Sequence, residues 1–261
     1  MNALKTATIG VLNRVVPGRV KNSIFHLAFH LARAEFERFA YEYSFAPHMQ
    51  FGLTGMAMRG FYPQTIIDVG AFEGAWSNMV KQIWPTSRLC MIEPNLEKRT
   101  HLIKIAKDLD ATLFFELLGA ESNRAVRFNV MGSGSSIMNE QSSVPRTVET
   151  RYLRTLDAMI KEIKPPGLLK IDAQGYELQI LKGALETLLR VDAVLLEIAI
   201  IEINEGAPIF HDVIGFMRSH GFVAYDILEI HRRPLDKALN QIDVMFVREH
   251  SVLLSDKRHF R

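Results

Sequence analysis

The stretch at residues 65–77 reads TIIDVGAFEGAWS, in which a β-branched apolar run leads directly into a glycine turn. The run Thr65–Val69 is typical of a buried β-strand. Gly70 and Gly74 follow it, and the apolar spacing of residues 74–84 predicts a helix after the turn. Glycines at such a junction let the backbone approach a ligand closely. The stretch therefore predicts a ligand-binding unit of strand, turn and helix, with Asp68 near the end of the strand.

Working outward from this unit, apolar strands continue to alternate with helical segments. The predicted strands that follow are short runs ending near polar residues: 88–93, 112–117, 168–172 and 193–198. This alternation indicates βαβ units, and hence an α/β fold built on a parallel sheet. The last two strands, 222–230 and 242–247, have no helical pattern between them, so we expect an antiparallel pair. Two further strands, 125–131 and 147–153, flank a polar loop at 132–136 that we expect to form a wall of the site.

Composition sets the broad class of the protein. The chain has 261 residues, 31 Lys+Arg against 29 Asp+Glu, 48% hydrophobic residues and one Cys. These values favour a globular protein without a disulfide framework, in a reducing and hence cytoplasmic compartment. A net charge of +2 does not argue for nucleic acid as a partner. We expect a helical cap at residues 1–60, the main domain at 61–250 and a tail at 251–261.

The N-terminal segment differs from the rest in its charge. Residues 1–34 contain five Lys and Arg residues and no acid. Aromatic residues at helical spacing predict one helix over 23–43, with Ser23 as its N-cap. A solvated helical extension is the favoured interpretation. The alternatives are an arm that contacts a membrane surface or an anion, and a transit-type leader.

The turn is not a nucleotide-diphosphate motif. A GxGxxG fingerprint beginning at Gly70 would require glycine at position 72, where the chain has phenylalanine, and no phosphate loop is present. A carboxylate at Asp68 repels a pyrophosphate and suits a cation. This argues against a nicotinamide-dependent oxidoreductase and favours S-adenosylmethionine, which carries an ammonium and a sulfonium. Glu93, at the end of the next strand, is placed to accept the two hydroxyls of a ribose.

Several motifs together resemble one family. They are the runs 65–77, MIEP at 91–94, TLD at 155–157, KIDAQGYE at 170–177 and LKGA at 181–184, with a similar ending around 221–246. Over residues 61–248 the chain resembles the FkbM-type S-adenosylmethionine-dependent methyltransferases. The resemblance implies the class I methyltransferase (Rossmann-like) fold, a seven-stranded, mostly parallel sheet flanked by helices with a reversed final strand. It also implies methyl transfer to a hydroxyl of a sugar, a glycan or a small natural product.

The resemblance also implies a set of residues that bind the cofactor. They surround the first turn, the second strand end, the 118–120 turn and the fourth strand end: Asp68, Gly70, Ala71, Phe72, Glu73, Gly74, Ser77, Glu93, Pro94, Gly119, Ala120 and Asp172. Asp68, Gly70 and Gly74 would hold the methionine end, Glu93 the ribose, and the 118–120 turn would lie near the adenine. Phe72 departs from the family, which commonly has Asn there, so a side-chain contact to the cofactor is in doubt.

Catalysis requires a proton acceptor within hydrogen-bond reach of the acceptor hydroxyl. Asp172 is the first choice for this base or for a substrate anchor, and Glu197 and His211 are further candidates. Glu197 lies in the apolar run LLEI, where an acid must be paired, exposed or functional. Glu177 suits helix capping as well as ligand contact. No tight ligand cluster such as DxDxD is present, so we predict no metal, although Asp172, Glu197 and Asp226 could supply oxygen ligands.

One alternative function remains open at this point. A methyltransferase-like chain can serve as a non-catalytic scaffold or binding module in a biosynthetic complex. The basic segment 1–34 motivates this alternative, and the intact turn with both of its acids argues against it.

Overall fold

The computed structural model describes residues 17–140 and 143–259. The chain divides into two compact units, the first ending at His48 and the second beginning at Met49. This division falls earlier than the boundary expected at residue 60. The reason is that Met49, Leu53 and Met56 are buried among core residues of the second unit. Residues 1–16 of the expected cap and residues 260–261 of the expected tail lie outside the described ranges.

The described residues contain helices α1 to α9, in the two units. In the first unit they are α1 (Gly18–Leu31) and α2 (Arg33–Glu42). In the second they are α3 (Met49–Met58), α4 (Ala75–Ile83), α5 (Arg99–Asp108), α6 (Leu156–Met159), α7 (Glu177–Lys182), α8 (Leu185–Leu188) and α9 (Phe210–Ser219). No helix in these ranges is long and apolar enough to cross a membrane.

The second unit also contains strands β1 to β10. They are β1 (Thr65–Val69), β2 (Arg88–Ile92), β3 (Thr112–Phe114), β4 (Leu117–Leu118), β5 (Ala125–Val130), β6 (Thr147–Arg154), β7 (Gly167–Ile171), β8 (Ala193–Ala199), β9 (Phe222–Arg232) and β10 (Leu239–Arg248). Seven of them form one sheet in the order β3-β2-β1-β7-β8-β10-β9. In this sheet β10 pairs antiparallel with both β8 and β9, and the other pairs are parallel. The class I methyltransferase fold predicted from the sequence, with its antiparallel final pair, is confirmed.

Burial on both faces explains the apolar character of the central strands. Every residue of β1 and β7 is buried. Ile67 and Leu169 belong to one apolar layer, whereas Ile66 and Leu168 belong to the layer on the other face. The near-continuous apolar sequence of parallel strands is the signature of this arrangement.

The sheet order places the candidate site. The chain leaves β1 toward β2 on one side, whereas β7 lies on the other side of β1. A crevice opens where the connections diverge from neighbouring parallel strands, outside their carboxyl ends. The ends of β1, β2, β7 and β8 carry the acids that the sequence singled out.

Three local predictions are wrong: the single helix over 23–43, its N-cap at Ser23 and the strand over 112–117. The helix predicted over 23–43 is two helices, because Ala32 leaves the helical region with φ −132° and ψ 44°. The first of these helices already begins at Gly18, and Ser23 donates a hydrogen bond to the carbonyl oxygen of Arg19 within it. The strand predicted over 112–117 is divided between β3 in the main sheet and β4 in a separate sheet ordered β4-β6-β5.

Candidate functional site

The turn after β1 brings the backbone of Gly70 against the end of β7. Gly70 has a φ of +77°, and a Cβ at this position would overlap the carbonyl oxygen of Asp172. Phe72 is also in the left-handed region, with a φ of +47°. Its backbone N–H donates a hydrogen bond of 2.7 Å to Glu93 Oε2. The two strand ends can therefore meet only with glycine at position 70, and Glu93 ties the turn to the end of β2.

Glu93 is held by backbone donors on both of its oxygens. Besides the bond from Phe72, Glu93 Oε1 accepts a hydrogen bond of 2.7 Å from the backbone N–H of Asn95. The side chain is buried, and this burial raises the pKa of Glu93 against the lowering effect of the two backbone bonds. A carboxylate oxygen has two lone pairs. Glu93 thus retains one accepting position on each oxygen, which is what a pair of ribose hydroxyls requires.

Asp68 lies below the floor of the crevice and is fully buried. Its Oδ2 accepts a hydrogen bond of 2.6 Å from Ser77 Oγ, and its Oδ1 lies 3.2 Å from Lys170 Nζ. Lys170 Nζ also donates to the carbonyl oxygen of Gly70 at 3.0 Å and lies 3.5 Å from Asp172 Oδ2. A buried ion network thus connects β1 and β7 directly under the turn.

Lys170 is a residue that sequence reasoning missed. Burial alone would lower the pKa of Lys170, but the carboxylates of Asp68 and Asp172 outweigh that effect and raise it, so the side chain stays charged. The available signal was a lysine inside the apolar run Leu168–Ile171, because a charge in a buried strand has to be paired. Because Lys170 lies beside Asp68, the negative charge of Asp68 is already balanced within the protein.

A side-chain amide joins the two acids at the ends of β7 and β8. Gln174 Nε2 donates hydrogen bonds to Asp172 Oδ1 at 3.0 Å and to Glu197 Oε2 at 2.7 Å. Burial raises the pKa of Glu197 well above its ordinary value, and the neighbouring charges of Asp172 and Asp243 raise it further. The charge of Asp172, held close by the shared donor, therefore favours the protonated form of Glu197. The pair Asp172–Glu197 thus places two carboxyl groups where a proton could be accepted from a bound ligand.

Glu177 is buried and holds the loop that carries Gln174. Its Oε1 accepts hydrogen bonds from the backbone N–H groups of Ala173 at 2.9 Å and Gly175 at 3.1 Å. Burial raises the pKa of Glu177 to about 7. Of the two interpretations left open by the sequence, the hydrogen bonds favour the structural one, in which Glu177 fixes the loop between β7 and α7.

The acids continue across the sheet onto β9 and β10. Asp243 is paired in register with Glu197 on β8 and with Glu229 on β9. His231 Nε2 lies 2.8 Å from Asp243 Oδ2 and 3.7 Å from Glu229 Oε2. The hydrogen bond to Asp243 raises the pKa of His231. The ligand-type atoms of Glu229, His231 and Asp243 lie within 4.8 Å of one another, and we interpret them as an ion-paired cluster; the absence of a metal stays a prediction.

A cleft of about 370 Å³ lies over these strand ends. Its lining includes six residues that the sequence predicted for the site: Gly70, Phe72, Glu93, Pro94, Asp172 and Glu197. The loop expected to form a wall contributes Gly132, Gly134, Ser135 and Ser136. Ser136 Oγ donates a hydrogen bond of 2.9 Å to the carbonyl oxygen of Gln174, so this loop is attached to the β7–α7 loop. The sequence did not single out two lining residues, Gln174, which bonds to Glu197, and Gln241.

The other predicted site residues lie outside this lining: Asp68, Ala71, Glu73, Gly74, Ser77, Gly119, Ala120 and His211. Several of them have structural contacts instead. Gly74 precedes α4 with a φ of +75°, and a Cβ there would lie 2.9 Å from Ile105 Cγ2. Glu73 forms an ion pair of 2.7 Å with Lys98. The side chain of His211 is 77% exposed on α9, and its Nε2 lies 3.5 Å from Asp212 Oδ1. Their roles in binding or catalysis stay predictions.

Comparison with known proteins gives one family. A sequence model of the methyltransferase FkbM domain matches residues 68–224. No curated protein is similar enough to be matched to the chain.

Several solved structures are similar. The methyltransferase FkbM from Methylobacillus flagellatus KT is 15% identical over 70% of this chain, with a TM-score of 0.46, and the chain spans 43% of its length. The magnesium protoporphyrin IX methyltransferase from Synechocystis PCC 6803, solved with bound SAM, is 9% identical over 76% of this chain and 79% of its own, with a TM-score of 0.46. A putative RNA methyltransferase from Pyrococcus horikoshii is 14% identical over 76% of this chain and 82% of its own, with a TM-score of 0.44.

Proposed function

The chain belongs to the FkbM family of S-adenosylmethionine-dependent methyltransferases, and on that premise we propose that it methylates a hydroxyl oxygen of a sugar, a glycan or a small natural product. The observation that carries the proposal is the arrangement of the cleft. Glu93 lies at the end of β2, and the pair Asp172–Glu197 lies at the ends of β7 and β8, all lining one cavity. Glu93 would accept the ribose hydroxyls of the cofactor, and the pair Asp172–Glu197 would accept a proton from the acceptor.

The residues present fit the cofactor. The cavity of about 370 Å³ is within the ~300–1,000 Å³ of small-molecule pockets. Its floor at Gly70 is bare backbone, which permits close approach. We assign ribose binding to Glu93 and the floor to Gly70, with Phe72 and Pro94 as apolar walls. Asp68, neutralised by Lys170, would act from below by fixing the turn. S-adenosylmethionine, when bound, supplies the electrophilic methyl group.

The acceptor half of the cleft is polar. Gln174, which bonds to both Asp172 and Glu197, lines the cleft there, and Ser136 is bonded to the carbonyl oxygen of Gln174. Gln241 belongs to the same lining. Such groups both donate to and accept from hydroxyls, which suits a hydroxylated acceptor. The acceptor hydroxyl would transfer its proton to the Asp172–Glu197 pair as its oxygen gains the methyl group. His211, exposed and outside the lining, is not needed in this scheme.

Binding of S-adenosylmethionine tests the cofactor assignment. Isothermal titration calorimetry would compare the wild type with Glu93→Gln and with the control Glu186→Gln, which alters an exposed side chain on α8. We expect the Kd to rise at least ~10-fold in Glu93→Gln, because charge-assisted hydrogen bonds contribute about 1.5–3 kcal/mol, and to stay unchanged in the control. Unchanged affinity in a folded Glu93→Gln protein would contradict the assignment.

Turnover tests the reaction itself. Formation of S-adenosylhomocysteine would be measured with panels of glycans and of hydroxylated natural products. Turnover that requires a free hydroxyl and falls in Asp172→Asn supports the proposal. If the wild type binds S-adenosylmethionine but methylates nothing in either panel, the result favours the scaffold alternative.

A further inference from the structure

Helix α1 carries an apolar stripe that faces solvent. Val20, Ile24, Leu27 and Leu31 are 46%, 60%, 62% and 79% exposed. Their spacing of four, three and four residues places them on one side of the helix. Single exposed apolar residues are ordinary on protein surfaces, but a continuous apolar patch marks an interaction surface.

The same segment concentrates positive charge. Residues 1–34 contain Lys5, Arg14, Arg19, Lys21 and Arg33 without any Asp or Glu, whereas the remaining residues contain 26 Lys+Arg against 29 Asp+Glu. Lys5 and Arg14 lie outside the described residues, and Arg33 is on α2 in an ion pair of 2.7 Å with Glu37. Arg19 is exposed on α1 beside the stripe. The charge of the chain is thus divided between a basic N-terminal segment and a slightly acidic remainder.

A second exposed apolar group follows at the end of the first unit. Phe39, Tyr43 and Phe45 are 50%, 63% and 73% exposed. Their rings contact one another, with centroids of Phe39 and Tyr43 4.5 Å apart and of Tyr43 and Phe45 6.4 Å apart. Aromatic side chains are enriched where a protein meets the boundary between lipid and water.

We propose that α1 binds the surface of an anionic lipid bilayer, with the stripe Val20–Ile24–Leu27–Leu31 inserted among the headgroups and Arg19 against lipid phosphates. An amphipathic helix with a basic polar face is the form in which proteins lie in such an interface. At 14 residues α1 is too short to cross a bilayer, which needs ~20. A second copy of the chain is a poorer occupant, because it would bring two basic segments together, whereas anionic headgroups complement them. The proposal is independent of methyl transfer.

Vesicle co-sedimentation of the full chain tests this proposal. The lipids would be phosphatidylcholine alone, or equal parts of phosphatidylcholine and phosphatidylglycerol, at low and high salt. The variant is Leu31→Glu, and its matched control is Leu189→Glu, because both leucines are 79% exposed. A further variant, Arg19→Glu, reverses a charge beside the stripe.

We expect the wild type to sediment with the anionic vesicles and to remain in solution with the neutral ones. Partitioning should weaken about tenfold in Leu31→Glu and fall with salt and in Arg19→Glu, whereas Leu189→Glu should match the wild type. Equal sedimentation with neutral and anionic vesicles would overturn the proposal. So would a loss of binding to anionic vesicles that is as large in Leu189→Glu as in Leu31→Glu. A dimer in light scattering that Leu31→Glu dissociates, without any vesicle binding, would assign the stripe to a second copy instead.

Discussion

Lys170 Nζ lies 3.2 Å from Asp68 Oδ1, and this ion pair joins two neighbouring strands under the candidate cofactor site. Asp68 is fully buried and Lys170 is 7% exposed, so neither charge is solvated by water when the partner is removed. The pair explains how an acid can occupy the interior end of β1 without a bound ligand. It also fixes the Gly70 turn, since Lys170 donates to the Gly70 carbonyl oxygen.

Removing Lys170 should therefore destabilise the fold strongly. We expect Lys170→Met to lower the free energy of unfolding by about 3–5 kcal/mol, because it leaves buried carboxylates without their cation. Chemical denaturation followed by circular dichroism measures this change. Lys182→Met, which removes an exposed lysine from α7, is the control and should have little effect. The double variant Lys170→Met/Asp68→Asn should recover part of the loss, and no recovery would show that the pair is not the cause.

Gly70 should tolerate no side chain. Gly70→Ala adds a Cβ that overlaps the carbonyl oxygen of Asp172 in a backbone conformation with positive φ, so we expect a loss of about 2–4 kcal/mol in stability. Gly215→Ala is the matched control, because a Cβ there meets nothing within 4 Å and the residue lies inside α9. The control should be stabilised by ~0.5–1 kcal/mol. Denaturation curves of the two variants that coincide would contradict the close approach of β1 and β7.

Glu177 should make stability depend on pH. Its folded-state pKa of about 7 is raised above the ordinary value of 4.5 by burial, so folding favours the protonated form. The contribution is fully present below pH ~4.5 and is lost as the pH rises through about 7. Between pH 4.5 and 8 the free energy of unfolding should fall by about 3 kcal/mol less in Glu177→Gln than in the wild type. Part of the fall remains in the variant, because burial also raises the pKa of Glu93 and of Glu197. Glu186→Gln alters an exposed side chain and is the control, so its pH dependence should match that of the wild type. If the stability of Glu177→Gln depends on pH as strongly as that of the wild type, Glu177 is not the cause.

Sequence patterns identified the elements that local residues determine. The apolar runs of β1, β2, β7 and β8 are buried on both faces, so their character is visible without knowledge of their neighbours. The turn at Gly70 and the acid Glu93 each lie directly after such a run. Because parallel strands end at one edge of a sheet, these residues could be brought together by reasoning alone.

Contacts between distant parts of the chain could not be inferred in this way. The bond from Lys170 to Gly70 spans 100 residues, and nothing in the local pattern assigns the lysine to that carbonyl. Gln174 bridges two acids only because its loop, held by Glu177, turns it toward β8. His211 was expected near the cleft from its place after β8, but its side chain on α9 is exposed and lies outside the lining.

The last prediction concerns the electrostatic coupling between Asp172 and Glu197. Burial is the largest cause of the raised pKa of Glu197, and the charge of Asp172 is the second. Neutralising Asp172 should thus lower the pKa of Glu197 while leaving it above the ordinary value, since the burial persists. The side-chain carboxyl of Glu197 can be followed by ¹³C NMR titration in the wild type and in Asp172→Asn. Asp226→Asn provides a control, because Asp226 lies on β9 and is not among the charges that raise the pKa of Glu197. A titration midpoint of Glu197 that moves in neither variant would mean that the charge of Asp172 does not act on Glu197, and the two carboxyls could then not be treated as a pair.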